Sequence, residues 1–188
     1  IPSLTAHFPG NFSKVAQFGG TPSELAITYP SLHQEYLKQL KNLKSNVLRY
    51  SIVTEPMHHG PTSFSKPVLF VEIGSSKEHW QDSDAIETVC EAVMTTVEKG
   101  CSSDKISIGF GGNHYSEKFT KLITESNFAL GAIMPKYAII NLDKSILNQM
   151  ITRSIEKVSY AILDWKGIKE RDRVISLVEE AGLEIIKL

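Results

Sequence analysis

Cysteine is scarce in this sequence. Only Cys90 and Cys101 occur among 188 residues, and neither belongs to a Cys-x-x-Cys pair. The chain therefore offers no disulfide framework and no cysteine-pair metal site. So few cysteines are typical of a reducing environment, and we expect a cytoplasmic protein.

The sequence also lacks a strong net charge and a long apolar run. Its formal net charge is -1, whereas many nucleic-acid-binding proteins are strongly basic because they neutralise phosphates. An RNA ligand would therefore have to meet a local patch or present only a short end. No apolar stretch approaches the roughly 20 residues that span a bilayer. The composition, 41% hydrophobic and 22% charged, is that of an ordinary globular domain.

Strand-like and helix-like segments alternate along most of the chain, which predicts a single α/β domain built in layers. The predicted strands are 47–55, 67–73, 105–110, 128–134, 160–163 and 183–186. The predicted helices are 31–43, 83–99, 116–126, one that opens at Asp143, and 169–181. In helix 83–99 the apolar residues at helical spacing are expected to face the core: Ile86, Val89, Cys90, Val93, Met94 and Val97.

Two adjacent histidines, His58 and His59, precede Gly60-Pro61-Thr62. On a regular strand their side chains would point to opposite faces, whereas in a turn they could converge on one site. Neutral imidazole is a common zinc ligand. The pair therefore indicates either a metal or catalytic site, or a surface turn with one packed and one solvated histidine.

Glu72 interrupts an apolar strand that runs from Pro67 to Ile73. An ionised carboxylate buried there is unfavourable unless it is paired or binds a metal. Functional groups of α/β proteins often lie near the carboxyl ends of strands. The alternative is an edge strand in which Glu72 faces water.

A glycine-rich turn, Gly111-Gly112-Asn113-His114, lies between strand 105–110 and the next helix. Glycine lets a backbone approach a ligand and a helix N-terminus favours anions, so the turn could hold a phosphate, a carboxylate or an oxyanion. The alternative is a tight turn that requires glycine. The turn matches neither a P-loop nor the dinucleotide-binding pattern. The chain also lacks a Gly-x-Ser-x-Gly elbow, so serine hydrolase chemistry has no support.

Other polar residues are weaker candidates. His7 ends an apolar stretch, and a structural role is the favoured interpretation. His33 lies in a polar helical context and is predicted to be solvated. Lys166 could meet a phosphate or remain a solvated loop charge.

Five segments together resemble the D-aminoacyl-tRNA deacylases (D-tyrosyl-tRNA deacylases) of archaeal and plant type. They occur in the family's order and span nearly the whole chain, and a Leu4-Thr5-x-His7 element precedes them. Each motif alone is unspecific, but the ordered set is specific. The segments are His58 to Thr62, Phe70 to Ser75 with Trp80, Gly111 to Tyr115, Pro135-Lys136-Tyr137 and Asp164-Trp165-Lys166-Gly167.

The resemblance implies a phosphorylase/hydrolase-like fold, a central mixed sheet flanked by helices, and zinc as cofactor. It implies hydrolysis of the ester bond of D-aminoacyl-tRNA, in translation quality control, and we expect a monomer or small homo-oligomer. We expect zinc-activated water, with metal ligands His58, His59 and His114, catalytic residues Glu72, His114 and His59, and substrate-binding residues Gly111, Gly112, Lys136 and Lys166. Two alternatives stay open: a phosphorylase- or peptidase-like hydrolase of a small substrate, and a non-catalytic tRNA-end-binding module.

Two departures from the family pattern bear on these expectations. Where the family usually has Gly-His-Ile, this sequence has Gly131-Ala132-Ile133, which removes one candidate site histidine. The family also tends to have a strand and a helix ahead of the Leu-Thr-x-His element, whereas this chain starts almost at that element. We expect one deacylase domain over residues 1–188, and the absence of that N-terminal strand–helix segment is an open alternative.

Overall fold

The seven strands form two sheets in the computed structural model, which describes all residues from Ile1 to Leu188. The strands are β1 (Ser3–His7), β2 (Ser51–Thr54), β3 (Phe70–Gly74), β4 (Lys105–Phe110), β5 (Phe128–Met134), β6 (Tyr160–Leu163) and β7 (Glu184–Lys187). The helices are α1 (Pro30–Asn42), α2 (Lys77–Trp80), α3 (Ser83–Lys99), α4 (Glu117–Glu125), α5 (Lys144–Thr152) and α6 (Arg171–Glu180). Strand β1, helix α2 and two short 3₁₀ segments, Lys44–Val47 and Ile139–Asn141, were not predicted.

The smaller sheet is mixed and the larger is parallel. In the order β2-β1-β3, β1 pairs with β2 in parallel and with β3 in antiparallel fashion. The order β5-β4-β6-β7 is parallel throughout. The sheets adjoin where the Met57 amide donates to the Ile133 carbonyl of β5 at 2.9 Å. The predicted α/β class with flanking helices is confirmed. The expected single central mixed sheet is divided, because the strands form one mixed sheet and one parallel sheet.

Local signals determine several helix ends. The Asp143 carboxylate accepts a hydrogen bond from the Ile146 amide at 2.8 Å, which caps α5 where the sequence predicts its start. The Asp82 carboxylate accepts from the Asp84 amide at 3.1 Å and caps α3 in the same way. The same helix ends before Gly100, whose φ of 72° lies in the left-handed region that glycine tolerates.

The face that α3 presents to the core is shifted from the predicted one, of which Val89 is buried as expected. Cys90 is exposed, and Met94 and Val97 are 56% and 68% exposed. The buried residues are mostly small and lie on the neighbouring flank: Ala85, Thr88, Val89, Ala92 and Thr96. Small side chains let α3 pack closely on α1, so the larger apolar residues lie outside the contact.

Strand β1 is buried on both faces and positions the polar groups of the site. Leu4 and Ala6 point into the apolar core. Because side chains alternate along a strand, Ser3, Thr5 and His7 point to the opposite face, where they are also buried.

No helix of the protein combines the length and apolarity that a membrane crossing requires.

Candidate active site

Glu55 lies at the centre of a cluster of titratable side chains. It directly follows β2, and its side chain is 4% exposed. Its Oε2 lies 3.2 Å from His114 Nε2, 3.5 Å from His58 Nε2 and 3.7 Å from His7 Nδ1. One carboxylate oxygen therefore faces three imidazole rings.

Strand pairing brings these groups together. The Glu55 amide donates to the Ala6 carbonyl at 3.1 Å, which extends the pairing of β1 with β2. Parallel neighbours end at the same edge of a sheet, so His7 at the end of β1 lies beside Glu55. On the other side of β1, Glu72 of β3 pairs with Thr5 and reaches the same face.

The His58-His59 turn brings both rings to this edge of the sheet. His59 has a φ of 48°, the left-handed conformation, so the two side chains do not alternate as they would on a strand. The His59 Nε2 atom lies 3.1 Å from His7 Nε2. The His58 ring stacks on the His7 ring with a centroid separation of 4.1 Å, and it lies 4.8 Å from the His114 ring.

The cluster contains a neutral ring, that of His7, and a charged pair formed by Glu55 and His114. Burial, with the charges of His58 and His59 adding to it, lowers the pKa of His7 to about 2, so its ring is neutral at physiological pH. Burial alone would raise the pKa of Glu55, but the hydrogen bond and charge of His114 outweigh it and the pKa falls below its usual value. The hydrogen bond to Glu55 raises the pKa of His114 against the effect of burial. Glu55 and His114 therefore form a carboxylate–imidazole pair whose ring is a stronger base than free histidine.

Glu72 faces the same cluster from β3. One of its carboxylate oxygens lies within 4.8 Å of ligand atoms of His7 and Glu55. Burial first, and the Glu55 charge second, raise the pKa of Glu72 above its usual value. The structure thus brings Glu72, His58 and His114 to one rim, as the sequence hypothesis requires.

The donor set of the cluster suits zinc. Three groups each place their ligand atoms within 4.8 Å of one another: His7, His58 and His59; Glu55, His58 and His114; and His7, Glu55 and Glu72. The buried Nδ1 atom of His7 has no hydrogen-bond partner. Neutral imidazole nitrogens and carboxylate oxygens are ligands that zinc prefers. The residues present therefore fit a zinc ion.

The glycine turn after β4 is engaged in packing. The Gly111 amide donates to the Met134 carbonyl at 2.9 Å, so it is not free to bind an oxyanion as the sequence hypothesis proposed. The Gly112 carbonyl accepts from the Lys136 amide at 3.1 Å. Gly111 has a φ of 104°, and a Cβ atom there would lie 2.9 Å from Asp164 Cβ. Glycine is therefore needed at this position to let the turn approach the segment after β6.

The two lysines that we expect to bind substrate lie outside the imidazole cluster. Lys136 follows β5 and Lys166 follows β6, and both are exposed. Both lie beyond the carboxyl ends of parallel strands, the edge where α/β sheets commonly bind ligands. Their exposure leaves both side chains accessible to a phosphate.

Two cavities meet at His58 and His114. The smaller, about 240 Å³, is polar and is lined by Glu55, Glu72 and the hydroxyl side chains of β1. The larger, about 530 Å³, has an apolar and aromatic wall that includes Phe12, Val15, Phe18, Met57 and Tyr137. A third cavity of about 430 Å³ lies between β2 and α4 and is lined by none of the clustered residues.

Sequence reasoning missed two members of the cluster and misplaced another histidine. The sequence predicts Glu55 only as the end of a strand, although a carboxylate three residues before His58 is a signal for a shared site. His7 was interpreted as structural, yet it lies within the cluster. The prediction that His33 is solvated is wrong, because its ring is buried between the Leu130 carbonyl and the Thr54 hydroxyl, each 3.0 Å away.

Comparisons with known proteins agree with the ordered motifs. The profile of the D-aminoacyl-tRNA deacylase family matches residues 1–186. The D-aminoacyl-tRNA deacylase of Pyrococcus furiosus is 39% identical over 189 residues, which cover 100% of this chain and 68% of that protein. The D-aminoacyl-tRNA deacylase of Cenarchaeum symbiosum is 36% identical over 185 residues, which cover 98% of this chain and 71% of that protein.

A solved structure extends the similarity to three dimensions. The crystal structure of a conserved protein of unknown function superposes with a TM-score of 0.92 and 31% sequence identity. The match covers 99% of this chain and 66% of that protein, so the chain spans just under two thirds of its length. The resemblance inferred from the motifs is thereby confirmed: this chain belongs to the D-aminoacyl-tRNA deacylase family, a family of enzymes.

Proposed function

We propose that this chain hydrolyses the ester bond between a D-amino acid and the terminal ribose of tRNA. The observation that carries the proposal is the Glu55–His114 pair, which lies where two cavities meet. A basic imidazole at this junction can act on an ester whose acyl group extends into both cavities. Family membership supports the substrate class.

In this mechanism His114 is the general base. Buried Glu55 holds the His114 ring through Nε2 and stabilises the imidazolium that forms. The ring accepts a proton from water as the water oxygen bonds to the ester carbonyl carbon. The bond from that carbon to the ribose oxygen then breaks, and His114 returns the proton to the ribose oxygen. The products are the free amino acid and tRNA with an intact terminal hydroxyl.

We propose that His7, His58 and His59 hold the zinc ion that the family resemblance implies. Glu55 lies within reach of such an ion. The support is the donor chemistry of these side chains, the neutral state of His7 and its unpartnered Nδ1 atom. A zinc ion there would lower the pKa of its bound water to about 7. His59 is additionally positioned by its own Nδ1, which lies 2.5 Å from the Gly60 carbonyl.

The larger cavity suits the amino-acid side chain. Its volume of about 530 Å³ and its aromatic wall can enclose a tyrosine-sized group through apolar contacts. Lys136 and Lys166 then lie outside the cavity, where the phosphates of the tRNA end would pass. A grip limited to that end agrees with the net charge of -1, because few phosphates are neutralised.

A deacylation assay on matched D- and L-tyrosyl-tRNA tests the proposal. We expect the protein to release D-tyrosine far faster than spontaneous hydrolysis, and to release the L-isomer more slowly. The variant His114→Asn should bind the substrate and lose turnover. Release of D-tyrosine at the spontaneous rate by the wild-type protein would refute the function, and binding without turnover would favour the tRNA-end-binding alternative.

A further inference from the structure

The smaller cavity beside His58 and His114 contains buried hydroxyl groups without partners. Ser3 Oγ and Thr5 Oγ1 form no hydrogen bond, although each residue is only 1% exposed. The Thr5 hydroxyl lies beside the Glu55 carboxylate, where it helps to lower the pKa of Glu55, and it meets no other polar group. Because an unpaired buried hydroxyl is energetically unfavourable, these groups indicate that a polar ligand completes the cavity.

Strand geometry directs these hydroxyls into the cavity. Leu4 packs in the apolar core, so alternation along β1 turns Ser3 and Thr5 to the opposite face. Thr5 lies opposite Glu72 in the pairing of β1 with β3. A Cβ atom at Gly74, the partner of Ser3, would lie 2.9 Å from Ser3 Oγ. Glycine at the end of β3 therefore keeps this part of the cavity open.

The cavity also carries negative charge that no lysine or arginine balances. Glu55 and Glu72 both line it, and its lining residues include no lysine and no arginine. Carboxylate oxygens of Glu55 and Glu72 lie within 4.8 Å of each other. The two carboxylates repel one another at this separation, and His114 already pairs with Glu55, so Glu72 is the carboxylate left without a cationic partner. An organic ammonium group, with three N–H donors, matches the Glu72 carboxylate and the two hydroxyls.

We propose that the smaller cavity binds the α-ammonium group of the aminoacyl ester. Glu72 is its carboxylate partner, and the hydroxyls of Thr5 and Ser3 accept its remaining N–H groups. The inference rests on the proposed function, because the ammonium group belongs to the same substrate. It assigns to Glu72 a role in substrate recognition rather than in proton transfer.

This arrangement gives a physical basis for selecting one enantiomer. The α-carbon of the ester carries a side chain, an ammonium group and the reacting carbonyl. The larger cavity, the smaller cavity and His114 would each receive one of these groups. Inverting the configuration while the side chain and the carbonyl stay in place directs the ammonium group away from Glu72. The mirror-image substrate therefore loses the charged contact.

The test compares two esters that differ only in the ammonium group. One is D-tyrosyl-tRNA, and the other is tRNA esterified with the corresponding D-α-hydroxy acid. Each kcat/KM is divided by the spontaneous hydrolysis rate of its ester, because the ammonium group activates the carbonyl chemically. We expect the wild-type protein to prefer the amino ester by about 10- to 100-fold. The variant Glu72→Gln should lose most of this factor on the amino ester and little on the hydroxy ester.

Two further variants make the result decisive. Thr5→Val keeps the side-chain shape without the hydroxyl, and it should reduce the preference for the amino ester in the same direction. Glu87→Gln makes the same chemical change as Glu72→Gln on the exposed face of α3, and it should leave both rates unchanged. If Glu72→Gln does not fold, as judged by circular dichroism, Thr5→Val decides the question.

The outcomes that overturn the inference are distinct from those that overturn the function. Equal slowing of both esters by Glu72→Gln, or no slowing of either, contradicts ammonium recognition. A loss of bound zinc in Glu72→Gln would make this residue a metal ligand instead. A wild-type protein that cleaves both esters equally well refutes only the ammonium site, whereas one that cleaves neither refutes the proposed function itself.

Discussion

The Nε2 atoms of His7 and His59 face each other at 3.1 Å. Two neutral rings can meet in this way only if one presents an N–H group and the other a lone pair. A zinc ion would instead take a lone pair from each ring. Residues 52 positions apart thus share one site. The tautomers of the two rings would depend on whether a zinc ion binds there.

Replacing His59 by Asn should weaken zinc binding by more than about 10-fold, because it removes a nitrogen donor from the His7, His58 and His59 group. Zinc per protein chain, measured by mass spectrometry after dialysis against a buffered zinc solution, reports the change. His79→Asn is the matched control, since His79 lies in none of the ligand groups. Full zinc occupancy in His59→Asn at the same free zinc concentration would contradict the assignment.

Replacing Glu55 by Gln should lower kcat by about 10²- to 10⁴-fold, because the amide cannot stabilise the His114 imidazolium as a carboxylate does. Single-turnover deacylation of D-tyrosyl-tRNA isolates this chemical step. Substrate affinity should change much less than kcat. A variant whose kcat equals that of the wild-type protein would show that Glu55 has no part in the reaction.

The pH dependence of the reaction should reflect the His114 ring. The base acts only when unprotonated, so kcat/KM should rise with pH and level off above the pKa of His114. Glu55 raises that pKa, so Glu55→Gln should move the inflection to lower pH. The measurement is a pH–rate profile for both proteins. An inflection at the same pH in both would indicate that a group other than His114 is titrating.

Glu24 should stabilise the fold at neutral pH and lose this effect in acid. Its carboxylate accepts hydrogen bonds from Thr62 and Ser63 at 2.6 and 2.7 Å and pairs with Arg153. The Thr62 hydrogen bond, with Ser63 adding to it, lowers the pKa of Glu24 from 4.5 to about 2. A lowered folded-state pKa means that the stabilisation is present above pH 4.5 and disappears as pH falls towards 2.

Urea unfolding at several pH values checks this effect. The variant Glu24→Gln should be less stable than the wild-type protein by roughly 1–3 kcal/mol at pH 7. The difference in the free energy of unfolding should shrink as the pH is lowered from 5 towards 2, because the wild-type carboxylate is then protonated and, like glutamine, carries no charge. Glu98→Gln, an exposed control, should show no such pH dependence. A constant difference at all pH values would rule out the ionised carboxylate as its source.

Two glycine variants separate backbone strain from packing. Gly111 and Gly19 both have positive φ, of 104° and 82°, but only Gly111 has neighbours where a Cβ atom would lie. Gly19→Ala should therefore show the strain alone, about 1–3 kcal/mol. Gly111→Ala should be more destabilising, because its Cβ would lie 2.9 Å from Asp164 Cβ. Equal losses in the free energy of unfolding would mean that the Asp164 contact adds nothing.

Residues close together in the chain account for the features that local patterns can predict. The capping carboxylate of Asp143, the terminating Gly100 and the alternation of apolar segments were sufficient for the α/β class and for most element positions. The ordered motifs were sufficient for the family, because several short matches in one order rarely occur by chance.

Which of these residues meet depends on the packing of distant segments. His7 lies on β1, Glu72 lies on β3 and Glu55 directly follows β2, and only the pairing of β1 with both neighbours places them on one face. The burial of His33 and the outward face of α3 likewise follow from how helices pack on the sheets. Local patterns encode conformation over a few residues, whereas a site and a core arise from contacts between segments that are far apart in the chain.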